Sequence, residues 1–304
     1  MSMTQLDTRI DLYTKAAEET ASGVIRLYST SFGLASRLLE APCRRHIENI
    51  YSLVRLADEV VDGVAGEAGI DAAEAGQMLD RLEADTERAM ETGYSTNLIV
   101  HAFAHSARHV GITSELTNPF FQSMRADLSE TTHDEESFSR YVYGSAEVVG
   151  LMCLKAFVKD RDYTEAQHEQ MVSGARALGA AFQKVNFLRD LAVDFDALGR
   201  SYFPGVTPDS MDEETKNRLL DDIDEDLAES ARALPLLPAG SRKAVGLAQA
   251  LFDELGVKLR QTPADKLLTH RVSVPSARKA QLALAVAAGW LPGGKWRHEK
   301  RTKA

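Results

Sequence analysis

"VRLADEVVDG", residues 54–63, sets three carboxylates, Asp58, Glu59 and Asp62, into a run of Val, Leu and Ala. Acidic residues on a helix normally occupy a solvated face. Here aliphatic residues flank them, and Arg55 stands one turn before the first. The segment around it, "CRRHIENIYSLVRLADEVVDG", reads as one helix between Pro42 and Gly63. Tyr51, Arg55, Asp58 and Asp62 then fall at i, i+4, i+7 and i+11, on one stripe. Ile50, Leu53, Val54, Ala57, Val60 and Val61 occupy the other faces.

A second stripe lies far along the chain. In "FQKVNFLRDLAVDFD", Gln183, Asn186, Asp190 and Asp194 fall at i, i+3, i+7 and i+11, with Arg189 beside Asp190. The residues between them are again largely apolar. Two unit charges about 6 Å apart repel by roughly 3 kcal/mol at an effective dielectric near 20. Two facing carboxylate stripes therefore imply hard cations. Magnesium takes oxygen ligands and is commonly shared between carboxylates and substrate phosphates. Arg grips phosphate oxygens in pairs. The expectation is diphosphate chemistry in an apolar pocket. Without metal, removing one carboxylate should relieve repulsion and leave the thermal midpoint level or higher.

The rest of the chain supplies the frame. Its 304 residues are enough to bury a large core. Ala, Leu, Glu, Arg and Met dominate, and apolar residues recur at three and four. Breakers fall at 63–69, 91–96, 111–114, 129–137, 199–210 and 234–240, with helical segments between them. The reading is one all-α domain. A net charge of −10 argues against nucleic acid as a partner. Two cysteines, Cys43 and Cys153, are too few for a disulfide scaffold and fit a reducing cytoplasm. "LALAVAAGWL" (282–291) is about half the length of a membrane span and reads as a core helix. The basic end, "KWRHEKRTKA" after Pro-Gly-Gly, reads as a solvated tail. His101 and His105 are i, i+4 without Cys or carboxylate support, so they read as core or surface residues rather than zinc ligands.

Five blocks make the chain resemble the squalene/phytoene synthase family, most nearly its bacterial phytoene synthases. They are "STSFGLASRLL" (29–39), "YSLVRLADEVVD" (51–62), "YVYGSAEVVGLM" (141–152), "QKVNFLRDLAVDFDALGRSYFP" (183–204) and "HRV" (270–272). The likeness spans about 22–280, leaving a basic tail at 293–304. It implies an isoprenoid-synthase helical bundle around a central cavity. It also implies head-to-head condensation of two prenyl diphosphates through a cyclopropyl diphosphate. By that resemblance Asp58, Asp62, Asn186, Asp190 and Asp194 are the expected ligands of Mg²⁺, with Mn²⁺ as a substitute. Arg55, Arg189 and Arg271 are the expected diphosphate clamps. Ser29, Ser31, Phe32, Tyr51, Tyr141, Gln183 and Tyr202 complete the substrate site. Tyr51 and Arg55 join the four Asp as the catalytic set. Arg189, about 100° round the helix from Asp190, is expected to reach the diphosphate from the side or to hold a neighbouring carboxylate.

Other positions keep plainer readings. Glu59, off the stripe, reads as a packing or supporting residue, and Tyr143 as core. Asp127, in "MRADL", matches an acidic family position whose role is open. Glu147 replaces a small family residue and is expected to pair with a basic group. Leu251 and Phe252 stand where the family often has Tyr.

Small residues at Gly33, Ala35 and Ser36 leave room for a longer chain, so geranylgeranyl diphosphate and phytoene are favoured. No dinucleotide fingerprint is present, so no NADPH is expected. The alternative is a C30 enzyme using farnesyl diphosphate; a non-catalytic scaffold is the remote one. Expected partners are the prenyl diphosphates, a transiently touched membrane and a downstream desaturase.

Overall fold

The structure is a computed structural model that describes residues 8–61, 64–198 and 200–292, without the side chains of 192–198 and 208. Asp62, the side chain of Asp194 and the basic tail lie outside the described residues. Among the described residues there is no strand, only an isolated bridge between Thr132 and Ser201.

The helices run in order: α1 (Arg9–Tyr28), α2 (Thr30–Ser36), α3 (Ala41–Val61), α4 (Val64–Glu67), α5 (Ala72–Thr92), α6 (Leu98–Val110) and α7 (Ser114–Ala126). There follow α8 (Glu135–Val142), α9 (Val148–Val158), α10 (Glu165–Leu198), α11 (Glu213–Ala233), α12 (Ala239–Gln261), α13 (Ala264–Leu267) and α14 (Ser276–Ala287).

Local chemistry sets many of the boundaries. Thr8 and Asp11 cap α1 reciprocally. Asp71 and Asn97 accept the first free N–H groups of α5 and α6. Those two helices stop at Gly93 and Gly111, with φ of 83° and 78°, where a side chain would be strained. The breaker stretch at 63–69 still forms one short turn, α4.

Between α8 and α9, residues Tyr143–Glu147 form a π-turn, so the helix continues from Glu135 to Val158. By length and composition this helix could cross a membrane, at mean hydropathy 1.3, but half of that window is buried inside the protein. Among the described residues it is the one helix of that length and apolarity, whereas the longest apolar run in the sequence is 282–291. The 282–291 stretch packs one face inward: Leu282 and Val286 of α14 join an apolar cluster with Leu247 and Leu251 of α12, while Leu284 is 72% exposed.

The two largest of four apolar clusters among the described residues hold the Asp-bearing helices, and the smaller two add Ala35, Ala248, Leu154, Met171 and Leu237 to the wall of the site. One large core joins α1, α3, α5, α6, α7 and α9, around Leu53, Phe103, Phe120 and Met152. The other centres on α8, α10, α11 and α12, around Leu188, Leu220, Ile223 and Leu259. The two Asp-bearing helices, α3 and α10, belong to different cores, and a cavity opens between them.

Candidate active site

The cavity has a volume of about 960 Å³. One end is polar: Asp58 and Arg55 come from α3, and Gln183, Asn186, Arg189 and Asp190 from α10. Ser29, Ser31, Phe32, Tyr51, Tyr141, Tyr202 and Arg271 line the same cavity. The described members of both stripes thus line one cavity. Away from them the wall is apolar, with Ile47, Leu154, Phe157, Met171, Leu237 and Val245.

Around α3, the Arg55 guanidinium sits 4.6 Å over the Tyr28 ring. It pairs with Glu59, one turn on, and lies 3.9 Å from an Asp58 oxygen. Burial opposes its charge, but Asp58 and Glu59 outweigh that and raise its pKa. Glu59 therefore supports Arg55. Burial pushes the Tyr51 hydroxyl above its ordinary pKa, so it stays protonated.

Around α10, Asp190 is gripped from two sides. Arg189 donates Nε to Oδ1 at 2.9 Å and its second arm to Oδ2. Arg271, from the segment before α14, donates Nε to the same Oδ1 at 2.8 Å. Burial disfavours the ionised carboxylate, yet the two guanidinium groups outweigh it and hold the pKa below the usual range. This corrects the expectation of repulsion: in the structure Asp190 is charge-balanced by arginine. Arg189 bends back onto its neighbour, the carboxylate-holding role of the two expected of it.

Asp127 gains a place. Its carboxylate accepts the Tyr141 hydroxyl at 2.8 Å on both oxygens and the Tyr202 hydroxyl at 3.2 Å on one. The Tyr202 ring stacks on Phe187 of α10 with centroids 4.0 Å apart. Phe32, Phe182 and Phe252 form an aromatic cluster where α2, α10 and α12 meet, with Phe182 and Phe252 stacked at 3.9 Å. Glu147 pairs with Arg176 at 2.6 Å, as expected of it, and Arg176 lies over the Tyr143 ring, which packs against the first core.

Lys279 was missed from the sequence. Its Nζ donates to Thr30 Oγ1 at 3.1 Å and Ser31 Oγ at 3.4 Å, beside the polar end. Nothing local in "PSARKAQ" signals that role, because α14 reaches α2 only through the fold.

The donors at the polar end fit a hard cation. Asp58, Asn186 and Asp190 offer oxygen ligands, and among the described residues no His lines the cavity. Among the described residues no group of three or more His, Cys, Asp or Glu side chains is close enough to hold a metal unaided. A site completed by substrate oxygens matches that arrangement.

The squalene/phytoene synthase family matches residues 25–278. A phytoene synthase of Pseudescherichia vulneris is 30% identical over 253 residues, 76% of this chain and 79% of that protein. A 15-cis-phytoene synthase of Enterobacter agglomerans is 29% identical over 282 residues, 86% of this chain and 90% of the relative. Among solved structures, a dehydrosqualene synthase in complex with ligand superposes at TM-score 0.73 with 21% identity, covering 91% of this chain and 97% of that one. A squalene synthase from Alicyclobacillus acidocaldarius follows at TM-score 0.69 and 20% identity, covering 82% and 95%. At those identities the structures speak for the fold. The family match covers most of the chain and takes in both Asp stripes, so the protein belongs to the squalene/phytoene synthase family, prenyltransferases that act on prenyl diphosphates.

Proposed function

We propose that the protein joins two molecules of geranylgeranyl diphosphate head to head, through a cyclopropyl diphosphate, to give phytoene for carotenoid synthesis. The observation that carries this reading is the cavity. It is near the upper end of the roughly 300–1,000 Å³ usual for small-molecule sites. It is lined by both Asp-bearing helices and by apolar side chains of the kind a prenyl chain packs against. Ala35 and Ser36 line it with little bulk, as do Gly150, Gly174 and Ala244. That favours the C20 substrate over C15, in agreement with phytoene synthases among the relatives.

Asp58, Asn186 and Asp190 would hold Mg²⁺ or Mn²⁺, together with Asp62 and Asp194. When bound, the metal supplies positive charge to the leaving diphosphate. Arg55 receives diphosphate oxygens from α3. Arg189 and Arg271 exchange Asp190 for diphosphate or keep that carboxylate oriented. Phe32, Phe182, Phe187 and Tyr202 line the cavity, and aromatic rings there would stabilise developing allylic cations. The aliphatic wall excludes the water that would quench them.

The deciding experiment is incubation with C20 and C15 diphosphates, with and without NADPH, followed by product mass. Phytoene from C20 without NADPH supports the reading. Dehydrosqualene or squalene from C15 alone replaces it with the C30 enzyme.

The hydrocarbon product is insoluble in water. The proposal therefore includes a cytoplasmic protein that touches a membrane transiently and passes product to a desaturase. Flotation with anionic and neutral vesicles, with substrate present, tests that part. Protein absent from both floated fractions refutes it.

A further inference from the structure

We infer that Arg200 is a positioning residue for the prenyl-transfer reaction, fixing the Asp58-bearing helix and the Asp127–Tyr202 pair against one another. This rests on the functional reading above and names a residue outside its metal and diphosphate sets.

Arg200 stands in the loop after α10 and is 6% exposed. Its Nη2 donates to Val61 O at 3.0 Å and to Asp127 O at 2.7 Å. Its Nη1 donates to the Tyr202 hydroxyl at 3.1 Å and lies 3.8 Å from Asp127 Oδ1. Val61 lies in the last described turn of α3, and Asp127 caps the end of α7. Helix C-termini leave carbonyls without intrahelical partners and carry partial negative charge. One buried cation therefore bridges a backbone carbonyl of α3 and the end of α7 and pairs with the Asp127 carboxylate. A planar fork of donors does this; a single ammonium nitrogen does not span the same three acceptors.

The consequence reaches the cavity from two directions. Val61 lies about one turn beyond Asp58, so the bond to its carbonyl ties down the part of α3 that carries Asp58. Through Asp127, Arg200 also shares in holding Tyr141 and Tyr202, and Tyr202 stacks on Phe187, next to Asn186. Residues from α3, α7, α8 and α10 thus share one anchor. Displacing it should alter how the two stripes face each other, with the hydrocarbon part of the cavity unchanged.

The test compares wild type, Arg200→Lys, Tyr202→Phe and the double variant. Four quantities are read: kcat and KM for geranylgeranyl diphosphate, the thermal midpoint, and the Mg²⁺ concentration that gives half of the Mg²⁺-induced thermal shift with inorganic diphosphate in place of substrate. Arg200→Lys is expected to lose tenfold or more in kcat per folded molecule, with KM changed less than threefold and the half-shift Mg²⁺ concentration raised. The double variant should lose no more kcat than Arg200→Lys alone, because both changes break one chain of bonds. Wild-type kcat and Mg²⁺ response in Arg200→Lys would overturn the inference, whatever its thermal midpoint. So would losses that simply multiply in the double variant. Should Arg200→Lys fail to fold, wild-type kcat and Mg²⁺ response in Tyr202→Phe overturn it. A wild type inert toward every prenyl diphosphate refutes the functional reading instead, and the Mg²⁺ arm still tests Arg200.

Discussion

Arg271 Nε donates to Asp190 Oδ1 at 2.8 Å, joining positions 81 residues apart at the polar end of the cavity. With Arg189 on the same carboxylate, Asp190 is the hub of a three-membered charge cluster. Removing it leaves two guanidinium groups unpaired, one of them mostly buried. Asp190→Ala is therefore expected to abolish turnover and also to lower the thermal midpoint. Arg271 is 63% exposed, so the loss should be nearer 1–2 kcal/mol than the roughly 3–5 of a fully buried pair, or about 2–8 °C. Asp58→Ala should abolish turnover with little change in midpoint, because Arg55 keeps Glu59. Calorimetry on both variants without Mg²⁺ checks this; a midpoint for Asp190→Ala at or above wild type refutes it.

The same cluster sets a pH dependence. The folded pKa of Asp190 lies below its ordinary value near 3.8. Around pH 4 the unfolded chain thus binds more protons at this group, and stability rises with pH there. The contribution is fully present well above pH 4 and fades as pH falls through the lower folded value. The midpoint gap between wild type and Asp190→Asn should be constant from pH 5 to 7 and shrink below pH 4. A gap that widens on acidification contradicts the assignment.

What could be read from sequence followed locality. Asp58 and Arg55 share a helix face by spacing alone, and the stops at Gly93 and Gly111 follow from glycine's tolerance of positive φ. The meeting of Asp58 and Asp190 came from the doubled pattern and the family blocks. The bond from Tyr202 to Asp127, the reach of Lys279 and the hold of Arg200 on the Val61 carbonyl were not legible. Each depends on segments between 75 and 249 residues apart that no periodicity connects. The π-turn at Tyr143–Glu147 was hidden for another reason: its extra residue leaves composition and helix propensity unchanged. The sequence also overstated repulsion, since counting carboxylates says nothing of which arginines fold back on them.

The two arginines beside the stripes should separate in kinetics. Arg55 is held by Glu59 and by the Tyr28 ring, which leaves its guanidinium presented to the cavity. Arg55→Lys keeps the charge but loses the fork and the flat face over Tyr28. It should raise KM and lower kcat, together costing about 2–4 kcal/mol in kcat/KM. Arg189→Lys gives up its two-point grip on Asp190, but Arg271 remains, so the cost should be about 1–2 kcal/mol. Steady-state kinetics at saturating Mg²⁺ decide. Equal losses in the two variants would mean that both arginines hold diphosphate directly.

Gly179 offers a test of how the cavity wall is built. It lies on α10 where that helix crosses the π-turn backbone to backbone. A Cβ there would stand 2.5 Å from Ala146 O and 3.1 Å from Glu147 Cα. Neither neighbour is the end of a flexible side chain, so accommodation requires α10 and the π-turn to move apart. Ser145 and Ala146 line the cavity from that turn, and Tyr141 stands just before it. Gly179→Ala should cost about 1–3 kcal/mol as overpacking, with a midpoint lower by roughly 2–12 °C. It should also raise KM, because the wall that meets the prenyl chain shifts. Gly66 is the control: it is helical, and a Cβ there meets nothing within 4 Å. Gly66→Ala should leave kinetics unchanged and hold or raise the midpoint, by at most about 1 kcal/mol. If Gly179→Ala matches Gly66→Ala in both midpoint and KM, then the contact between α10 and the π-turn is looser than its geometry indicates, and the wall of the site does not depend on it.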